Sequence, residues 1–494
     1  MLKIKNFITN HFNIFAFIIF VVVIFSLYGK TLFFDWQYLD DDVLILDKQD
    51  YLAFSNIKNI FTDTFFNVPG DIGYRPLLNV SFLIDRTFYG TNPLGYNITN
   101  ILIFLLTIFS IYLLYSYRNN KAWALLFSLI ISVHPMLCAI VSRVVDRSDS
   151  LLTLFSVLSF YFLLKYIEEI NRKNFYLGIH ICLFLMALFV KEVSIVLPII
   201  FFVFYAFYDG NQNRKNFFLY SLWGLCVIVF FVCREYALSN LDQSVMTTNI
   251  IAYLKLIKGN FIILVKYFYN LFFPVSNKID SVYDICLFVA AIFIFLLMFV
   301  KTKYKNKKMI LFAIFSFVLL FIPTMVMNNH MHSYFGNRIF LPMVCMYYVI
   351  VNSFEKYRCD FRKIGIWLLV LIMISYAGIT HFKLDRFQNR WTAFFAEFEE
   401  TPDSPYINAK LGMLIADVGL YEQAEERLLV AIKLAPNDYN HYNNLGTIYV
   451  RTKHYEKAKN CFFSAYKLNP YDENVNYNIA NLKKYLEQRN DEQT

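Results

Sequence analysis

Phe33-Phe34-Asp35-Trp36-Gln37-Tyr38-Leu39-Asp40-Asp41-Asp42 is the stretch whose reading decides the architecture of this chain. Three consecutive carboxylates closely follow an apolar run over residues 14–28, which is long enough to enter a bilayer. Charge is costly in lipid, so the cluster marks where the chain leaves the membrane. Carboxylates held there serve as a general base, bind a metal, or form a solvated acidic flank that stops the helix.

The composition outward from this stretch is that of a polytopic membrane protein. Of 494 residues, 58% are hydrophobic and 19% aromatic, with a mean hydropathy of +0.45, whereas soluble chains hold about 45–50% apolar residues. The net charge of +9 is spread in short clusters between apolar runs, which points to a lipid bilayer and not to nucleic acid. Of the eight cysteines, Cys182, Cys226, Cys233, Cys286 and Cys345 lie within apolar runs, and none has a CxxC or metal-type spacing. Neither a disulfide framework nor a zinc site follows. No cofactor is required, and the adjacent aspartates alone define no metal site, although a divalent ion stays open.

Lys3 and Lys5 precede the first apolar run and no small-residue cleavage site follows it, so residues 1–29 read as an uncleaved first span with a cytoplasmic N-terminus. Residues 30–96 read as an external loop. Further spans are expected at 98–115, 122–138, 151–166, 175–190, 193–207, 217–233, 285–300, 310–325, 339–354 and 364–378. That gives about 11 spans, each near the length that crosses about 30 Å of hydrocarbon. Arg118 and Lys121, Arg172 and Lys173, Arg214 and Lys215, the run 301–308, and Lys356, Arg358, Arg362 and Lys363 then share the side of Lys3. Residues 250–274, broken by Lys255, Lys258 and Lys266, read as an interfacial or re-entrant helix pair.

The opposite side collects the aspartates, His134-Pro135, the segment 143–149, Lys191-Glu192 and the segment 330–338. Charges isolated between closely spaced spans are usually functional or paired.

From residue 405 the composition changes to a 34-residue repeat. Leu411-Gly412, Tyr421, Ala424, Leu428, Ala431 and Pro436 recur as Leu445-Gly446, Tyr455, Ala458, Phe462, Ala465 and Pro470. This is the tetratricopeptide pattern of paired helices with small residues at close approaches. A third unit begins near Glu473 and fades as a capping helix would. The repeats occupy 405–490 behind a linker helix over 381–404, and the odd span count puts them outside the cytoplasm. Such solenoids offer a concave surface to a protein partner.

Together these residues resemble the transmembrane-and-tetratricopeptide-repeat O-mannosyltransferase family and its bacterial relatives, within the GT-C glycosyltransferase superfamily. Asp40-Asp41 or Asp41-Asp42 falls at the family's aspartate pair, Tyr74-Arg75-Pro76-Leu77 at its YRPL, and His134-Pro135 at its HP. Arg147 and Asp149 match the arginine and acid that follow, Lys191-Glu192 matches KE, and Asn337-Arg338-Ile339-Phe340-Leu341-Pro342 matches the late arginine loop. Asn389, Arg390 and Trp391 match the lead-in to the repeats. Ala139 stands where the family usually has an acid, and Asn97 and Phe104 where it has histidines.

The resemblance implies an all-α fold: a GT-C-like transmembrane core over 97–380 followed by a tetratricopeptide α-solenoid. It also implies a polyprenyl-phosphate-linked sugar as donor, with mannose the candidate in the family's manner, and an external protein hydroxyl as acceptor. Asp41, with Asp40 and Asp42 beside it, then acts as base. Arg75, His134, Arg147, Lys191 and Arg338 would hold the donor phosphate, supported by Tyr74, Asp149 and Glu192. The expected location is the cytoplasmic (inner) membrane. Blander readings stand beside these: Arg75 as a loop anchor, His134 as a helix-end residue, the segment 146–149 as an internally paired helix start, and Lys191-Glu192 as a self-paired dipeptide. A non-catalytic scaffold for envelope proteins and a glycan ligase or polymerase are the competing functions.

Overall fold

The computed structural model describes residues 11–37, 41–48, 51–66, 73–169, 171–208, 217–239, 261–274, 304–325, 336–354 and 359–491. Among them every regular element is helical, as expected, and they divide into two units that meet between Asn389 and Arg390.

In the membrane unit, α1 (Phe12–Tyr28) is apolar on all sides. Ala16, Phe20, Ile24 and Tyr28, four residues apart, form its buried stripe, whereas Ile14, Ile18 and Val22 are more than half exposed. An apolar helix with apolar residues on its outer face belongs in lipid. Then come α2 (Ile57–Thr62) and α3 (Pro76–Tyr89). The central helix α4 (Pro93–Ser116) starts at an Asn92 cap that accepts from the Leu94 N–H, with Pro93 in the first turn. It packs on α1, α3, α5 (Lys121–Ser132), α6 (Cys138–Ser142) and α7 (Arg147–Glu168). The latter forms an extensive hairpin with α8 (Lys173–Val190). After α9 (Leu197–Tyr208) and α10 (Phe217–Ser239) come α11 (Phe261–Asn270), α12 (Tyr304–Met325), α13 (Phe340–Phe354) and α14 (Cys359–Leu384).

Among the described residues six helices are long and apolar enough to cross a membrane, or seven if the 54° bend between 121–132 and 135–142 lies within one span, so the expected count of about 11 is not reached there. The expected spans inside the described residues are helical, except that the one at 122–138 is broken at residues 133–134. The apolar helices Glu192–Ala206 and Ile310–Pro323, and the 15-residue helix Phe340–Phe354, are shorter than a full crossing, and the expected span at 285–300 lies outside the described residues. Of the expected pair over 250–274, only α11 is described.

The second unit begins with α15 (Arg390–Glu400), so the expected linker over 381–404 is divided between the end of α14, a short turn and this helix. Two antiparallel pairs follow, α16 (Pro405–Asp417) with α17 (Tyr421–Leu434) and α18 (Tyr439–Arg451) with α19 (Tyr455–Leu468), and then α20 (Glu473–Asp491). The repeated Ala424, Ala431, Ala458 and Ala465 are fully buried between helices, and Gly412 and Gly446 sit where a partner helix side chain leaves little or no room for a Cβ.

Candidate active site

The site grows from the residue pair between α8 and α9. Lys191 is extended, with φ −160° and ψ 133°, so successive side chains leave the backbone in opposite directions. Lys191 Nζ reaches Asp149 Oδ1 on the first turn of α7 at 2.7 Å. Glu192 turns to the start of α3, where Oε1 accepts from the Tyr74 N–H at 2.8 Å and Oε2 from Arg75 Nε at 2.9 Å. The dipeptide is therefore not self-paired; it ties two helix starts together.

Arg75 is fixed on a second side by the Phe65 ring, 4.8 Å from its guanidinium carbon. Pro76 presets the first turn of α3 behind it. Tyr74 is buried against Phe189 and Phe230, and its hydroxyl donates to the Phe61 carbonyl at 2.8 Å. A recess lined by Asp149, Leu152, Lys191, Val193, Leu320 and Arg338 opens beside the Lys191–Asp149 pair. Burial pushes the Lys191 amine below the usual lysine range; Asp149 opposes this, while the positive charges of Arg75 and Arg338 act with burial. Burial alone would raise the Glu192 carboxyl, but Arg75 and the backbone N–H groups of Glu192 and Tyr74 outweigh it and hold the group below its usual value. Three cations thus share one locality with two carboxylates, an arrangement suited to an anion that also carries polar groups.

Other expected site residues are placed differently. Arg147 is 0% exposed and is engaged inside the protein. Its Nη2 meets Asp85 Oδ2 at 2.6 Å, while Nε donates to Asn100 Oδ1 at 2.7 Å and Nη2 to the Tyr96 carbonyl at 3.1 Å. It ties α7 to α3 and α4 and does not line the recess, contrary to the expected phosphate role. The segment 146–149 is also not paired within itself through Arg147. His134 is likewise fully buried: Nδ1 accepts from the Met136 N–H, Nε2 lies 3.3 Å from the Leu271 carbonyl, and the ring packs on Tyr376. It caps the turn where the chain bends before Pro135, so packing at the break replaces the expected ligand contact.

Asp40 lies outside the described residues. Asp41 is 5% exposed and not a solvated loop carboxylate. Its Oδ2 accepts from the Gln37 N–H at 3.0 Å, and Gln37 Nε2 donates to the carbonyls of Ser142 and Phe387. Asp42 opens a π-helical turn, Asp42–Leu46, braced by Arg86 Nη1 donating to the Ile45 carbonyl at 3.1 Å. Asn97 and Phe104 are packed: Asn97 Nδ2 donates to the Phe34 carbonyl at 3.0 Å, and Phe104 lies between Tyr28 and Phe340. Among the described residues no group of three His, Cys, Asp or Glu could hold a metal. The sequence reading passed over Asp85; its one available signal was a carboxylate within the apolar run Phe82-Leu83-Ile84-Asp85.

Comparison with known proteins agrees with both parts of this arrangement. The family described as dolichyl-phosphate-mannose-protein mannosyltransferase matches residues 83–236, and a tetratricopeptide repeat family matches 428–460. The mouse (Mus musculus) protein O-mannosyl-transferase TMTC2 is 28% identical over 235 residues, covering 41% of this chain and 27% of the relative. Its human (Homo sapiens) counterpart is 31% identical over 160 residues, 30% of this chain and 18% of the relative. The Caenorhabditis elegans protein O-mannosyl-transferase F38B6.6 is 22% identical over 393 residues, 74% and 54%. The chain therefore spans about a quarter or less of the length of the two vertebrate relatives. Among solved structures, ArnT from Cupriavidus metallidurans bound to undecaprenyl phosphate aligns with a TM-score of 0.47 at 12% identity, over 90% of this chain and 79% of that one. A mannosyltransferase family thus matches part of the membrane unit and a tetratricopeptide repeat family matches part of the unit behind it, and the chain is similar over those parts to protein O-mannosyl-transferases.

Proposed function

We propose that the chain is a membrane glycosyltransferase that moves a sugar, with mannose the candidate suggested by its relatives' names, from a polyprenyl-phosphate donor to protein hydroxyls on the external side of the cytoplasmic membrane. The observation that carries this reading is the meeting of Arg75, Lys191 and Arg338 beside a recess at the ends of apolar helices. A lipid-linked phosphate needs an apolar route for its chain and cations at its head. Those three residues bind the donor phosphate and stabilise the phosphate that departs as the bond to the sugar breaks. Glu192 and Asp149 hold two of them in place. Asp41 takes the proton of the attacking hydroxyl, with Asp40 and Asp42 as its neighbours. The domains read as a first span over 1–29, an external acidic segment over 30–96, a GT-C-like core over 97–380, a linker over 381–404 and acceptor-binding repeats over 405–490.

The test is transfer from radiolabelled polyprenyl-phosphate sugars to endogenous acceptors in membranes that contain this chain. Label is expected in protein, and Asp41→Asn is expected to lower it by roughly 10²–10⁴-fold, the range of general-base catalysis. Label in glycan but not protein supports the ligase or polymerase reading. No transfer from any donor, with envelope assembly lost on deleting the repeats, supports the scaffold. A reporter active only outside the cytoplasm, fused after Thr494, tests the orientation and is expected to be active.

A further inference from the structure

The recess beside Lys191 contains an imbalance that phosphate binding does not resolve. Asp149 is 5% exposed. Its Oδ1 is taken by Lys191 Nζ at 2.7 Å, but Oδ2 is buried without a hydrogen-bond partner among the described residues. A buried carboxylate oxygen left unsatisfied is costly, more so than a neutral acceptor. Asp149 lines the recess together with Lys191 and Arg338, and Leu152, Val193 and Leu320 supply apolar walls.

The surroundings restrict what can satisfy that oxygen. An anion is repelled by the carboxylate itself. A metal ion faces Lys191 and Arg338 and finds no second acid among the described residues of the recess. A neutral hydroxyl satisfies Oδ2 without adding charge, and the O–H···O⁻ bond is among the stronger hydrogen bonds. On the donor reading the same molecule also brings a phosphate to Lys191 and Arg338. A phosphate carrying a hydroxyl-rich substituent meets both conditions.

We propose that Asp149 is a sugar-binding residue of the donor site: Oδ1 holds Lys191 for the phosphate, and Oδ2 accepts a hydrogen bond from a hydroxyl of the donor's sugar. This rests on the donor reading above and adds that the recess recognises the sugar as well as the lipid phosphate. One carboxylate then links headgroup recognition to the placing of a phosphate-binding cation. A donor without the right hydroxyl leaves the oxygen unsatisfied and is disfavoured.

The experiment measures equilibrium binding of the full chain in nanodiscs to undecaprenyl phosphomannose, undecaprenyl phosphoglucose and methyl undecaprenyl phosphate. The last is a phosphodiester of the same charge without sugar hydroxyls. Wild-type protein is expected to prefer at least one glycolipid over the methyl diester by roughly tenfold or more, as for one charged hydrogen bond. Asp149→Asn is expected to weaken all three through Lys191 and to reduce that preference to within about threefold. Mono-deoxy donors lacking the 2-, 3-, 4- or 6-hydroxyl test the same contact in wild-type protein, independently of whether the variant folds; one of them is expected to lose the preference. Equal binding of all three lipids by wild type, or a preference that survives both Asp149→Asn and every deoxy donor, overturns the sugar contact and leaves the donor reading standing. Binding of none of the three overturns the donor reading and this inference with it.

Discussion

Arg147 and Asp85 meet at 2.6 Å with side chains 0% and 2% exposed. Thr99 Oγ1 donates to Asp85 Oδ1 at 2.7 Å, and the Phe82 ring lies 5.1 Å from the guanidinium carbon. The pair joins α3, which Arg75 immediately precedes, to α7, which carries Asp149 two residues after Arg147. The frame of the recess is therefore fixed from inside the helix bundle.

Removing one partner leaves the other charged and buried. Arg147→Met or Asp85→Leu is expected to destabilise the membrane unit by about 3–5 kcal/mol, whereas the double variant recovers most of that loss because two apolar side chains replace two charges. Thermal unfolding of the three variants in detergent forms the cycle. Additive losses would show that the two residues act independently.

The Arg75–Glu192 pair is different, because its side chains are 27% and 30% exposed. Glu192→Gln is expected to cost under about 1 kcal/mol of stability. Sugar transfer is expected to fall roughly tenfold, since the neutral amide grips Arg75 Nε less firmly. Arg75→Lys keeps the charge but loses the planar fork and is expected to be at least as damaging. Steady-state kcat/KM for the lipid donor checks both, and Glu192→Gln is expected to add little in the Arg75→Lys background. Full activity in either single variant removes this pair from the site.

Much of the architecture was legible because it rests on repetition. Apolar runs marked where the membrane helices lie, though only six or seven of the described ones are long enough to cross, and positions such as Ala424 and Ala458 kept one register over 34 residues. Tyr74, Arg75, Asp149, Lys191, Glu192 and Arg338 were singled out from motifs far apart in sequence, and they lie in one neighbourhood. The direction of each side chain was not legible. Arg147 and His134 occupy motif positions as plausible as Lys191, yet one is engaged by Asp85 and Asn100 and the other packs at a helix break. A buried cation facing a carboxylate and one facing a ligand leave the same mark in sequence. The acidic triplet likewise gave no sign that Asp41 turns inward onto the Gln37 N–H.

In the repeats, Gly446 and Gly412 hold equivalent positions with different tolerances. A Cβ at Gly446 would lie 2.5 Å from Phe462 Cε1, whereas at Gly412 the nearest atom is Leu428 Cγ at 3.1 Å. Gly446→Ala is expected to cost about 1–3 kcal/mol through overpacking, and Gly412→Ala less. Seven residues on, Gly419 and Lys453 are again equivalent, with φ 85° and φ 62°. Lysine is strained there and glycine is not, so Lys453→Gly is expected to stabilise its repeat by up to about 1 kcal/mol. Hydrogen exchange in the full chain reads all three, from peptides of 405–434 for Gly412→Ala and of 439–468 for the other two. Equal protection in the two alanine variants would rule out the contact with the Phe462 ring as the cause.

His441 gives the repeats a pH dependence of definite sign. The residue is 4% exposed, neither ring nitrogen has a hydrogen-bond partner among the described residues, and Asp438 Oδ2 stands 3.6 Å from Nε2. Burial lowers its pKa below the ordinary 6.5, and Asp438 only partly offsets this. The folded repeat therefore binds a proton less readily than the unfolded chain. Its contribution to stability is complete above pH 6.5 and is lost as the pH falls from there through the lower folded value. Hydrogen exchange across 439–468 is expected to show protection falling between pH 7 and pH 5, after correction for the intrinsic pH dependence of exchange. His441→Phe removes the titrating group while keeping an aromatic ring, and is expected to flatten that fall. An unchanged slope in the variant would rule out the buried ring as the source of the acid sensitivity.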